Sequence, residues 1–127
     1  MWKKRYQQIN NFEEMLSENG TKVVKCFLHI SKAAQKDRLQ ARLDEPESNW
    51  KFNRGDLKER GFWNAYQEAY TDALEKCSTS HSPWHGIPSD KKWYRNLVVS
   101  ELLLDTIRKM DPQFPESDED FSDVVIV

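Results

Sequence analysis

Two arginines four residues apart, Arg38 and Arg42, are the side chains in this sequence best suited to chemistry. On a helix that spacing sends both guanidinium groups off one face, with Gln35 beside them and Lys32 and Lys36 at its edge. Guanidinium keeps its charge at any physiological pH and offers paired N–H donors to tetrahedral oxyanions, so the face suits phosphate oxygens. Spacing alone leaves a second reading open. A solvated face balanced locally by Asp37 is the commoner fate of exposed basic pairs.

Lys51, Arg54, Lys58 and Arg60 follow, and residues 22–60 together hold ten basic and six acidic residues. A basic segment between two helices is what a mobile cover over an anionic substrate requires, because closure excludes water and strengthens each charge contact. Trp50 and Phe52 in the same loop suit either anchoring to the core or stacking on a base. Arg95, near the start of the last helical pattern, is a candidate contact for phosphate or nucleotide, whereas Lys91 and Lys92 read as surface charge. His29 reads as a core histidine, and Pro83 between His81 and His85 argues against a shared zinc-binding face. Asp90 and Glu101 have no evident acidic partner for magnesium. The chain has four glycines and no Gly-x-x-x-x-Gly-Lys-Ser/Thr stretch, so nothing in the sequence can cradle a β-phosphate with backbone amides.

The elements that must position these residues follow from periodicity. Trp2, Tyr6, Ile9, Phe12 and Leu16 share one helical face over residues 2–19, which Gly20 ends. Residues 23–30 form a β-branched and aromatic run typical of a strand covered on both faces, which needs a parallel neighbour. Ser31 is placed to cap a helix over 32–43. Asp56 with Glu59 resembles a capping box opening a helix near Leu57, whose Phe62, Trp63, Tyr66, Tyr70 and Leu74 predict a core face. Residues 84–88 predict a brief strand, and 90–109 a helix apolar nearly all round, as if packed between layers. The helices over 57–76 and 90–109 are expected to cover each other's apolar faces.

Of the 127 residues, 38% are hydrophobic and 31% charged, which fits one domain or a large piece of one. The net charge of −2 is uneven: the six acidic residues after Met110, taken from 21, leave 15 against 19 basic ones. The folded part is thus mildly basic, and residues 111–127 read as a solvated, disordered acidic tail. That basic excess is too small to demand nucleic acid, and the Trp and Tyr residues lie mostly on expected core faces, which disfavours RNA. No apolar run reaches eighteen residues and no secretory signal is visible, so the expected location is the cytoplasm, away from membranes. Cys26 and Cys77 have neither metal-ligand nor disulfide spacing and read as buried thiols.

Arg5-Tyr6, Ile9-Asn10-Asn11-Phe12-Glu13 and Lys25-Cys26-Phe27-Leu28-His29-Ile30-Ser31-Lys32 resemble the C-terminal half of the polyphosphate kinase 2 family. Further motifs fall in the family's order: Asn49-Trp50-Lys51-Phe52, Asp56-Leu57-Lys58-Glu59-Arg60, Trp63, Tyr66, Ala69-Tyr70, Pro83-Trp84, Ile87-Pro88 and Lys92-Trp93-Tyr94-Arg95-Asn96. The resemblance covers about residues 2–110. It implies an α/β chain forming part of a P-loop kinase-like three-layer α/β/α fold, with two short parallel strands, about four helices and a helical lid over about 31–60. It also implies phosphoryl transfer between inorganic polyphosphate and an adenine nucleotide, with Mg2+ whose ligands lie outside this chain. Arg38, Arg42 and Lys51 would close on the phosphate chain, with Arg54 and Arg95 as further contacts, and the Asn-Trp-Lys-Phe loop is most similar to members acting on AMP or ADP.

Two departures qualify what is carried over. Ala33 and Ala34 stand where the family usually has acidic residues, so the lid helix loses favourable interaction with its own dipole. The family's Walker A loop and Walker B aspartate would lie upstream of Met1. Residues 1–110 are therefore expected to be the lid-bearing C-terminal portion of such a domain, inactive alone. The alternatives are a non-catalytic polyanion-binding module, or half of a split enzyme completed by a P-loop partner; self-association is expected as well.

Overall fold

The structure, a computed structural model, describes residues 2–116, 118–120, 122 and 125–126. In chain order it contains helix α1 (Trp2–Glu18), strand β1 (Lys25–His29), helix α2 (Lys32–Asp44), a 3-10 turn (Pro46–Lys51), helix α3 (Arg54–Gly61), helix α4 (Trp63–Cys77), strand β2 (Trp84–Pro88) and helix α5 (Lys92–Met110).

Helix α1 stops where the sequence places its breaker. Gly20 adopts φ 79°, a left-handed conformation that costs a residue without Cβ little, and Thr21 N–H donates back to Leu16 O at 2.9 Å. β1 is shorter than the apolar run that predicts it, because Val23 and Val24 precede the first paired residue. The strands are parallel, in register from Lys25 opposite Trp84 to His29 opposite Pro88. Ser89 N–H donates to His29 O at 2.8 Å, carrying the ladder one residue past β2.

Side-chain alternation makes the sheet the middle of three layers. On one face Lys25 reaches Glu13 of α1, and the Phe27 ring lies 4.8 Å from that of Tyr70 on α4. On the other, Val24 and His85 form a groove with Leu102 and Thr106 of α5. The expected mutual covering of the two apolar helices is therefore wrong. The sheet stands between α4 and α5, and each helix keeps much of its apolar face open.

The second correction concerns the middle of the chain. The expected capping box at Asp56 and Glu59 is pre-empted by Asn53, whose side chain accepts Gly55 N–H at 2.8 Å and starts α3 at Arg54. At Phe62 the N–H bonds to both Glu59 O and Arg60 O, a tightened turn that separates α3 from α4. One predicted helix thus becomes two, giving five α-helices among the described residues rather than four. The core is small: Ile87 and Cys77 are the fully buried apolar residues among those described, at 1% and 4% exposure. Tyr66 and Tyr70 of α4, read as core, are exposed, as are Trp93, Leu97 and Ile107 of α5. Both cysteines are free, Cys77 buried and Cys26 half-buried.

After Met110 the described residues carry no helix or strand; Ser117, Phe121, Asp123, Val124 and Val127 of the predicted tail lie outside the described residues. Among the described residues no helix is long and apolar enough to cross a membrane.

Candidate functional site

A cleft of about 680 Å³ runs between β1, α2, α3 and α4. α2 forms one wall because Ser31, extended at φ −71° and ψ 153°, accepts Ala34 N–H on its side chain and caps the helix. The i, i+4 spacing then does what the sequence predicts geometrically, bringing Arg38 and Arg42 to the same cleft. α3 adds Arg60, and α4 lines the opposite side with Trp63, Tyr66 and Tyr70.

Each arginine also holds the wall in place. Arg38 Nη2 donates to Ser89 O at 2.5 Å and Asp90 O at 3.0 Å, tying α2 to the end of β2. Arg60 Nη1 donates to Lys32 O and Gln35 Oε1, both at 2.8 Å, fastening α3 to the start of α2. Arg42 is held least tightly, 3.4 Å from the Asp56 carboxylate and 3.5 Å from Lys51 O. Tyr66 donates its hydroxyl to Glu59 at 2.5 Å, and that bond, with the Glu59 charge, raises the phenol's pKa above its ordinary value.

Lys51, Arg54 and Arg95 do not line the cleft. The Lys51 ammonium sits 5.1 Å from the Trp50 ring centre, and the Arg95 guanidinium bonds to the Asn96 side chain at 2.8 Å. Arg54 is exposed at the start of α3. Arg60 joins Arg38 and Arg42 instead, though in the sequence it is one basic residue among several. Its partners Lys32 and Gln35 are 28 and 25 residues away, a relation no local pattern carries. Asp90, which the sequence shows only as an acid without an acidic neighbour for magnesium, likewise has contacts that run back to Ser31 and Arg38.

Among the described residues no three His, Cys, Asp or Glu side chains stand close enough together to hold a metal ion. The described residues therefore do not by themselves fit the Mg2+ that the resemblance implies, whose ligands it places outside this chain.

A parallel two-stranded sheet flanked by helices thus brings three guanidinium groups, those of Arg38, Arg42 and Arg60, to one cleft. A family profile for polyphosphate kinase 2 matches residues 1–115. The chain belongs to the polyphosphate kinase 2 family. It is 48% identical over 126 residues to an AMP/ADP-polyphosphate phosphotransferase of Meiothermus ruber, covering 99% of this chain and 47% of that protein. An uncharacterized protein of Leptolyngbya boryana is 46% identical over 119 residues, covering 94% of this chain and 88% of that one. The crystal structure of polyphosphate kinase 2 from Arthrobacter aurescens TC1 superposes with a TM-score of 0.88 at 50% identity, over 92% of this chain and 42% of the other. The chain thus spans about half the length of the Meiothermus relative.

Proposed function

We propose that this chain serves polyphosphate-dependent phosphorylation of AMP or ADP in the cytoplasm, as the lid-bearing portion of a phosphotransferase. Residues 1–110 form that portion, 31–60 its lid, and 111–127 a solvated acidic tail. The observation that carries this reading is the convergence of Arg38, Arg42 and Arg60 on one cleft in a member of this family. Phosphoryl transfer depends chiefly on positioning and on neutralising the charge of the transferred group. Three forks hydrogen-bonded to carbonyl, amide and carboxylate oxygens can exchange those acceptors for phosphate oxygens, which bind guanidinium more strongly. Trp63, Tyr66 and Tyr70 offer the opposite wall to a flat base. Lys51 and Arg54 would join when the loop moves, and Arg95 would meet the nucleotide from α5.

The Meiothermus relative, named for AMP and ADP, supports the acceptor class. Because residues 1–127 hold no amide cradle for phosphate, catalysis would need a P-loop from outside them, and the exposed faces of α4 and α5 are compatible with a P-loop-bearing partner or a second copy. A non-catalytic polyanion-binding role shares the cleft and differs in never gaining turnover.

The test is binding of fluorescently labelled inorganic polyphosphate over a salt series. Changing Arg38 and Arg42 together to Gln should weaken binding and flatten its salt dependence, at roughly 1.5–3 kcal/mol per arginine that meets phosphate directly. Equal affinity of wild type and double variant at every salt concentration would refute the cleft as the binding site.

A further inference from the structure

The link between β2 and α5 makes contacts that neither a connecting turn nor the phosphate site requires. Ser31 N–H, at the start of α2, donates to Asp90 Oδ1 at 2.7 Å, across 59 residues of sequence. Beside it Arg38 donates to the carbonyls of Ser89 and Asp90. Ser89 itself is buried, with its hydroxyl donating to Ile87 O at 2.8 Å and its N–H to His29 O. The ends of both strands are thereby locked together, and Asp90 projects from that fixed point to the residue at which the chain leaves β1 and enters α2. We propose that Asp90 is a positioning residue: its carboxylate pins the backbone of Ser31 and so sets where Arg38 and Arg42 stand over the cleft.

The chemistry supports an anchor over a chance contact. A backbone N–H to a carboxylate is a charge-assisted bond, stronger than one to a neutral oxygen. Hydrogen bonds from Ser31, from its backbone first and then its side chain, with Arg38 and His29 nearby, hold the Asp90 carboxyl below its usual range despite some desolvation. An acid is also an odd neighbour for a polyanion site. Its negative charge would by itself weaken binding, so its presence calls for a compensating task.

That opposition of sign makes the test decisive. The inference rests on the phosphate-binding reading of the cleft, so two readouts on the full chain are separated: affinity for labelled inorganic polyphosphate, and amide hydrogen exchange over residues 31–44. Asp90→Ala removes the acceptor and should weaken polyphosphate binding about fivefold, although a repelling charge has gone, and should speed exchange in α2 without an equal fall in the global melting temperature. Asp90→Asn keeps an oxygen for Ser31 N–H and should restore slow exchange and an affinity no weaker than about half that of wild type. Glu101→Ala on α5 is the control for charge alone.

Should Asp90→Ala fail to fold, Ser31→Pro removes the backbone donor at a φ that proline already favours, and Ser31→Ala, which removes the side-chain cap and side-chain bond but keeps that backbone donor, is its reference. Faster exchange and weaker binding in Ser31→Pro, beyond those in Ser31→Ala, would carry the proposal. If wild type does not bind polyphosphate, the proposed function falls while the exchange comparison still decides the anchor. Unchanged exchange in Asp90→Ala, or binding tightened equally in Asp90→Ala and Asp90→Asn, would overturn it.

Discussion

The Lys25 ammonium lies 2.5 Å from the Glu13 carboxylate and 2.5 Å from the carbonyl of Cys77, so α1, β1 and α4 meet at one buried charge. Both side chains are about nine-tenths buried, and the ammonium also lies 5.4 Å from the Trp84 ring centre. Removing one member of such a pair strands the other in a poorly solvated site. Glu13→Gln should therefore cost about 3 kcal/mol of stability, whereas Glu13→Leu with Lys25→Met should recover most of it. Urea unfolding of the three proteins decides this, and a double variant less stable than Glu13→Gln would count against it.

Catalysis is the second expectation. Purified alone, with magnesium, polyphosphate and AMP or ADP, the chain should form no ADP or ATP, because the sequence has no amide cradle and, among the described residues, no metal-binding acid cluster stands beside the arginines. Coupled detection of ATP is sensitive enough to decide it. Turnover that co-purifies with the chain and disappears in Arg38→Gln would show that it is catalytic on its own.

Much of this architecture can be read from local patterns. Gly20, Ser31 and the Arg38–Arg42 spacing each act within a few residues, and the structure uses each where local physics places it. Asn53 shows the limit of such reading. The capping box read at Asp56 gives way to Asn53, three residues earlier, whose side-chain bond to Gly55 N–H starts the helix first along the chain. The apolar faces of α4 and α5 misled differently, since periodicity reports that a face needs covering and not what covers it. Arg60 and Asp90 had no local signature, because their partners are brought near only by the closing of the fold.

Acid should loosen the wall of the cleft selectively. The Asp90 carboxyl titrates below its ordinary value when folded, so its hold on Ser31 is complete above the unfolded pKa of about 3.9 and is lost as pH falls through the lowered folded value. Arg38 of α2 and His29 of β1 are the charged or titratable groups facing it. Amide exchange in α2, corrected for intrinsic rates, should accelerate below about pH 4 in wild type. Asp90→Asn retains Arg38 and His29 but has no carboxyl to protonate, so it should show no such step. The same acid step in both proteins would assign it elsewhere.

The open side of the sheet is the last expectation. β2 carries Gly86 and Pro88 and follows Pro83, and proline cannot donate to a ladder, which suits β2 to an outer edge. β1 has no proline or glycine, yet among the described residues only β2 pairs with it, leaving its far edge without a strand. Parallel strands are ordinarily buried among neighbours, and a bare apolar edge invites another chain. Leu28, 46% exposed and the fourth of the five residues of β1, sits where such pairing would be felt. We therefore expect concentration-dependent self-association in light scattering, with binding of an apolar dye. Leu28→Lys should reduce both while leaving the far-ultraviolet spectrum unchanged, because charge on an edge strand opposes pairing. A P-loop-bearing partner that docks along β1 should suppress self-association in the same way. A sharply melting monomer that binds no dye at any concentration would show that the sheet of β1 and β2 with its flanking helices suffices by itself.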